Sequence, residues 1–199
     1  FIIIAFVSIG QIARAENHSS SPKLAEEFEI AVKNVESKNF LEAVKIFDKL
    51  AQSGLPEAQF NLSLLYSSGL GTPKNYKTAL YWSWQAHLND HPNAINQVNE
   101  IFDLITEALR DTVANQIIDE LLSVAKAGDQ TSALKLGKTY TDLLVAPDYQ
   151  SAYVWLSIAQ AYGLESASEL LSQVTGELTL EEILVQQEQA STTFSEINS

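Results

Sequence analysis

Apolar residues recur along this chain at helical intervals and are interrupted by short stretches of glycine, proline and asparagine. Leu24, Phe28, Ala31, Val32 and Val35 fall on one stripe, with Glu26, Glu27, Glu29 and Lys33 off it, the pattern of an amphipathic helix. Ser21-Pro22 places a capping hydroxyl and a first-turn proline at its start. Ser37-Lys38-Asn39 leads to a second stripe, Ala43, Val44, Phe47, Leu50 and Ala51. Gly54 then supplies a left-handed terminus, and Pro56 opens a third helix carrying Ala58, Leu62, Leu65 and Tyr66. The loop from Ser67 to Asn75 contains Gly69, Gly71 and Pro73 and cannot continue a helix. Tyr76 to Leu88 is helical again, and Asn89-Asp90-His91-Pro92 breaks it. Short loops between helical stripes predict an all-α chain of antiparallel helix pairs.

The pattern repeats in register. Phe40, Ala43, Gly54 and Ala58 recur as Tyr76, Ala79, Asp90 and Ala94, and again as Tyr149, Ala152, Gly163 and Ala167, the first and last of each set standing 18 apart. A second match at an offset of 74 sets Gly54 on Gly128, Ala51 on Ala125, Leu62 on Leu136, Tyr66 on Tyr140 and Pro73 on Pro147. Such units bury their apolar faces only against neighbours, which predicts an α-solenoid. The small residues Ala43, Ala79 and Ala152 are expected where paired helices approach most closely. Residues 94–127 keep a helical period through Ile117, Leu121, Leu122, Val124 and Ala125 but lose the repeat residues, and read as a drifted unit. The repeats are thus expected over 22–174. Thr175-Gly176 is a breaker, and Thr179-Leu180-Glu181-Glu182 forms a capping box that starts a helix to about Ala190, so that 175–191 closes the stack, with 192–199 as a flexible tail.

The first residues call for a different reading. An apolar run from Phe1 to Ile9 precedes Gly10 and Ala13-Arg14-Ala15, like the core and cleavage site of a secretory signal peptide without its basic start. Cleavage after Ala15 is expected, with 16–21 as a polar leader; retention as a membrane anchor is the alternative. The expected location is therefore exported and periplasmic, with secretion or a signal anchor as variants. Twenty-five acidic and twelve basic residues give a net charge of −13, which argues against nucleic acid and anionic lipid as partners. The chain has no cysteine, so disulfides, thiolate metal sites and cysteine nucleophiles are excluded.

The segment from Ala58 to Trp82 resembles a Sel-one-like repeat (SLR), a relative of the tetratricopeptide repeat. The resemblance rests on Ala58, Leu62, Tyr66, Gly69, Gly71, Tyr76, Ala79 and Trp82, with Asn75 where the family usually has aspartate. The copy over 128–163 matches through Tyr140, Pro147, Asp148, Tyr149, Ala152 and Trp155 but lacks the glycine pair. The 22–54 pair is similar to a general tetratricopeptide unit. The resemblance implies a right-handed superhelix acting as an adaptor or assembly platform for a protein or peptide, with no shared catalytic centre and no cofactor. Exported bacterial members are common in it. By the tetratricopeptide analogy, Asn61, Ser67, Lys138 and Thr141 would line a concave face.

Candidate chemistry is sparse. His87 and His91 stand four apart with Asp90 between them, but His91-Pro92 lies in a helix-breaking turn, so no metal site is expected. Gly69-Leu70-Gly71 follows a helix and not a strand, which makes it a repeat turn and not a phosphate cradle. The register sets Trp82 on Trp155 and Ile46, a core position, and Trp84 on Ser157 and Asp48, which are polar. Two residues along a helix turn about 200°, so the two tryptophans cannot share a face. Trp84 either packs beneath the drifted unit or projects as an aromatic anchor for a partner; the anchor is the expectation carried forward. The chain is expected to be an exported binding scaffold of the bacterial cell envelope and not an enzyme. An envelope-acting enzyme with an unrecognised carboxylate or histidine site, and a purely structural envelope component, are the alternatives.

Overall fold

A computed structural model describes residues 22–199, so the proposed signal segment, its cleavage site, the polar leader and the Ser21 cap lie outside the described residues. Ten helices form there: α1 Pro22–Glu36, α2 Phe40–Gln52, α3 Pro56–Ser68, α4 Tyr76–Leu88, α5 Ala94–Phe102, α6 Glu107–Lys126, α7 Gln130–Asp142, α8 Tyr149–Ala161, α9 Ser166–Gly176 and α10 Leu180–Ile197. They divide into two compact units, one ending at Ile105 and the other spanning Thr106–Ser199. Within each unit consecutive helices pack against one another as far as α9, and α10 packs back on α8.

In the first unit Phe28, Ala31 and Val35 of α1 meet Ala43, Phe47 and Leu50 of α2 and Ala58, Leu62 and Leu65 of α3. The Phe28 and Phe47 rings meet edge to face at 5.5 Å, a favourable aromatic geometry. In the second unit Ala152, Tyr153 and Leu156 of α8 pack with Val174 of α9, and Ile183 of α10 closes on them. Ala43, Ala79 and Ala152 are all fully buried.

The repeated glycine position has one physical meaning. After α2, Gly54 takes φ 87°, its N–H donates to Ala51 O at 3.0 Å, and the Leu55 N–H donates to Leu50 O at 3.2 Å. This pair of bonds is a Schellman motif, which needs a left-handed residue. The same pair follows α6 at Gly128 (φ 96°) and α8 at Gly163 (φ 80°). Asp90 fills the place after α4 at φ 62°, and Lys38 does so after α1 at φ 61°. The aligned Gly54, Asp90 and Gly163 thus share a backbone state, not a side-chain role.

Two boundaries differ from the sequence expectation. Residues 94–127, expected as one drifted unit, divide between the two compact units: α5 packs on α4 in the first and α6 on α7 in the second. The last helix runs to Ile197, where a flexible tail was expected after 191. Phe194 lies against the Tyr162 ring at 5.1 Å and Asn198 Nδ2 donates to the Tyr162 hydroxyl at 3.1 Å, contacts that hold the final turns. The capping box at its start is present in both directions, Glu182 N–H to Thr179 Oγ1 at 3.3 Å and Thr179 N–H to Glu182 Oε2 at 2.9 Å.

Candidate functional site

The side chains singled out by sequence are mostly drawn into the helices themselves. Trp84 is fully buried and is not an exposed anchor. Its helix packs with both α3 and α5, and its buried residues Ala79, Leu80, Ser83, Trp84, Ala86 and Leu88 cover more than one face. The counterpart Trp82 is only half-buried, against the α1–α3 core and edge-on to Tyr81 at 5.0 Å. The anchor expectation for Trp84 is therefore overturned, Trp82 packs at the edge of the core, and Trp155 is buried as expected.

Asn61, placed by analogy on an open lining, is 5% exposed, and its Nδ2 donates to Glu57 O at 2.8 Å. Burial forces an amide to find such a partner. Ser67 is half-buried, donates to Leu64 O at 3.1 Å and accepts from Gln97 Nε2 at 3.3 Å. On α7, Thr141 donates to Gly137 O at 2.7 Å, and Lys138 one turn away is also half-buried. The structure thus brings Asn61 and Ser67 onto α3 in the first unit, and Lys138 and Thr141 onto α7 in the second.

His87 and His91 have separate surroundings. His87 is half-buried against Trp84, ring centres 4.9 Å apart. His91 is 5% exposed and stacked on Phe60 at 4.2 Å. Its Nδ1 accepts from the Asn93 N–H at 3.4 Å, while Nε2 is buried without a hydrogen-bond partner. Burial lowers its pKa to about 4, because the charged form loses hydration. Among the described residues no group of three or more histidines, cysteines or carboxylates is placed to hold a metal.

A folded-state pKa below the unfolded value makes His91 a stabiliser in its neutral form only. Its contribution is complete above about pH 6.5 and declines as pH falls from there towards 4. After discounting for partial solvent access, about 2 kcal/mol should be lost across that window. Denaturant midpoints measured from pH 7 to 4 should fall, and His91→Phe should flatten the upper part of that decline. An unchanged profile in the variant would show that His91 is not the titrating group.

Sequence reasoning missed the residues that shape the second repeat. Arg110 of α6 reaches across 33 positions to donate from Nε to Leu143 O at 2.8 Å. Its Nη2 donates to Asp142 O and Leu144 O, both at 3.0 Å, and the next residue, Asp111, accepts from the Val145 N–H at 2.9 Å. One guanidinium fork thereby satisfies three carbonyls at the end of α7. This loop occupies the place of the Gly69–Gly71 loop but has no glycine. Burial lowers the Arg110 pKa, against the opposing pull of Asp111, Glu107 and Asp142. Replacing Arg110 with alanine should cost about 2–3 kcal/mol and speed amide exchange over 142–146, with lysine restoring only part. Equal stability of Arg110→Lys and the parent would contradict the fork geometry.

On the surface of the first unit, α1 and α2 enclose an open groove of about 280 Å³ lined by Glu27, Ile30, Glu42, Lys45, Ile46 and Lys49. Two ion pairs edge it, Lys49–Glu27 at 2.8 Å and Lys45–Glu42 at 3.0 Å. The hydrogen bond from Lys49 holds the Glu27 carboxyl below its ordinary pKa. Among the described residues no helix is long and apolar enough to cross a membrane.

Comparison with known proteins agrees with the repeat register. The Sel1 repeat family matches residues 56–83 and 131–159, which are α3–α4 and α7–α8 with their connecting loops. A Sel1 repeat protein from Oxalobacter formigenes, known from a crystal structure, is 21% identical over 92% of this chain and 95% of its own, with a TM-score of 0.32. The protective antigen c5321, present in uropathogenic Escherichia coli strains and displaying an SLR fold, is 20% identical over 87% of this chain, with a TM-score of 0.34. This chain spans 45% of that protein. No curated protein shows a significant sequence match. Two helix pairs of this chain, α3–α4 and α7–α8, thus carry the Sel1 repeat.

Proposed function

We propose that this Sel1-repeat protein is a non-catalytic adaptor that binds another protein or peptide in the bacterial cell envelope. The observation that carries this reading is the pair of Sel1 repeats built into consecutively packed helices. Packed helix pairs present long outer surfaces, and recognition by such folds lies on those surfaces. The polar side chains of Gln59, Asn61, Ser67, Thr141 and Arg110 bond to backbone or to one another, which supports a structural role for them. Export is supported by the apolar run before Ala13-Arg14-Ala15.

Affinity capture from a native envelope fraction tests the reading. A partner recovered in near-equal amount, and lost when the bait is unfolded, is the expected result. A mature N-terminus at Glu16 is expected from sequencing of the exported protein. Capture of nothing by a folded, correctly located bait would count against the adaptor role.

A further inference from the structure

The final helix carries an apolar face that the fold does not cover. Ile183 and Ala190 of α10 turn inward, Gln187 Nε2 donates to the Tyr153 hydroxyl at 3.3 Å, and Phe194 lies on Tyr162. Those positions fall three or four apart and account for one side of the helix. On another side Leu180 is 73% exposed, and Leu184 and Val185 are each 57% exposed. Leu180 and Leu184 are one turn apart and form a continuous aliphatic strip. A helix that closes a stack ordinarily shows solvent a polar outer face, so three large aliphatic side chains there require a reason.

Charge identifies the occupant. Exposed Glu181 lies one turn from Val185, and exposed Glu188 one turn from Leu184. From Thr139 to Ser199 the chain has nine acidic residues and no lysine, arginine or histidine. A second copy would oppose acid to acid across this face, and an anionic lipid surface would be repelled in the same way. We propose that the Leu180–Leu184–Val185 face of α10 docks a cationic amphipathic helix of a partner protein. Aliphatic residues of that helix cover the leucines while its lysines or arginines meet Glu181 and Glu188. The inference rests on the protein-binding reading above and supplies its surface and the chemistry of its partner.

The test uses the whole chain and a helix-forming leucine–lysine peptide of about 18 residues with leucine on one face. A scrambled peptide of the same composition and a leucine–glutamate counterpart are the controls. Binding of the amphipathic leucine–lysine peptide is expected, weakening as salt rises. The Leu180→Ser/Leu184→Ser and Glu181→Gln/Glu188→Gln double variants should each weaken it about tenfold or more. All four side chains are solvent-exposed or partly so, and unchanged melts confirm that the variants fold. Equal binding of the scrambled peptide, or of either double variant, would overturn the proposal. So would a dimer of the parent that Leu184→Asp dissolves, since the face would then belong to a second copy. If the serine double variant still captures the native partner, this surface is wrong while the adaptor reading stands.

Discussion

Replacing Trp84 with alanine should destabilise the folded chain by about 3–5 kcal/mol, the loss expected for emptying a buried indole site. The side chain is fully buried, on a helix that packs with both α3 and α5. Trp82→Ala should cost less, about 1–3 kcal/mol, because that ring already keeps part of its surface in water. Equilibrium unfolding in denaturant, followed by helical circular dichroism, ranks the two variants. The order matters more than either value. Equal losses, or a larger loss for Trp82→Ala, would restore the ordering that the repeat register suggests and contradict the packing described.

A comparably large effect is expected at Gly71. It has φ 74°, a conformation that costs a side-chain-bearing residue about 1–2 kcal/mol. Its loop also presses on the start of α2. A methyl group there would lie 2.3 Å from Phe40 O and 2.8 Å from Leu41 N, and neither backbone atom can rotate away. Gly71→Ala should therefore cost about 3 kcal/mol or more. Gly54 provides the control, because its φ is 87° but nothing lies within 4 Å of the added carbon. Gly54→Ala should cost only about 1 kcal/mol. Similar losses for the two variants would mean that the loop yields and that close approach is not the reason for glycine at 71.

These two cases show which parts of the molecule the sequence could disclose. Local chemistry was legible: the stripes on α1 and α2, the capping box at Thr179 and Glu182, and the left-handed position at Gly54, Gly128 and Gly163. Each depends on residues within a turn or two. Trp84 was misplaced because the polar Asp48 and Ser157 at its aligned positions describe other helices. They do not report that α4 packs with both α3 and α5. Arg110 escaped notice because its partners are the carbonyls of residues 142–144, and backbone acceptors leave no sequence signature. The exposed Leu180 and Leu184 were hidden for a related reason. Helical spacing identifies apolar positions but cannot tell an inward strip from an uncovered one.

The adaptor claim is tested most directly by site-specific photo-cross-linking in the native envelope. A photoreactive residue placed at Leu184, and another at Ile30 in the α1–α2 groove, would be compared with one at exposed Thr112 of α6. The account predicts a discrete adduct with a different protein at Leu184, competed by the leucine–lysine peptide. The Thr112 position should give no such adduct. An absence of heterologous adducts at both Leu184 and Ile30, in protein shown to be folded and exported, would contradict it.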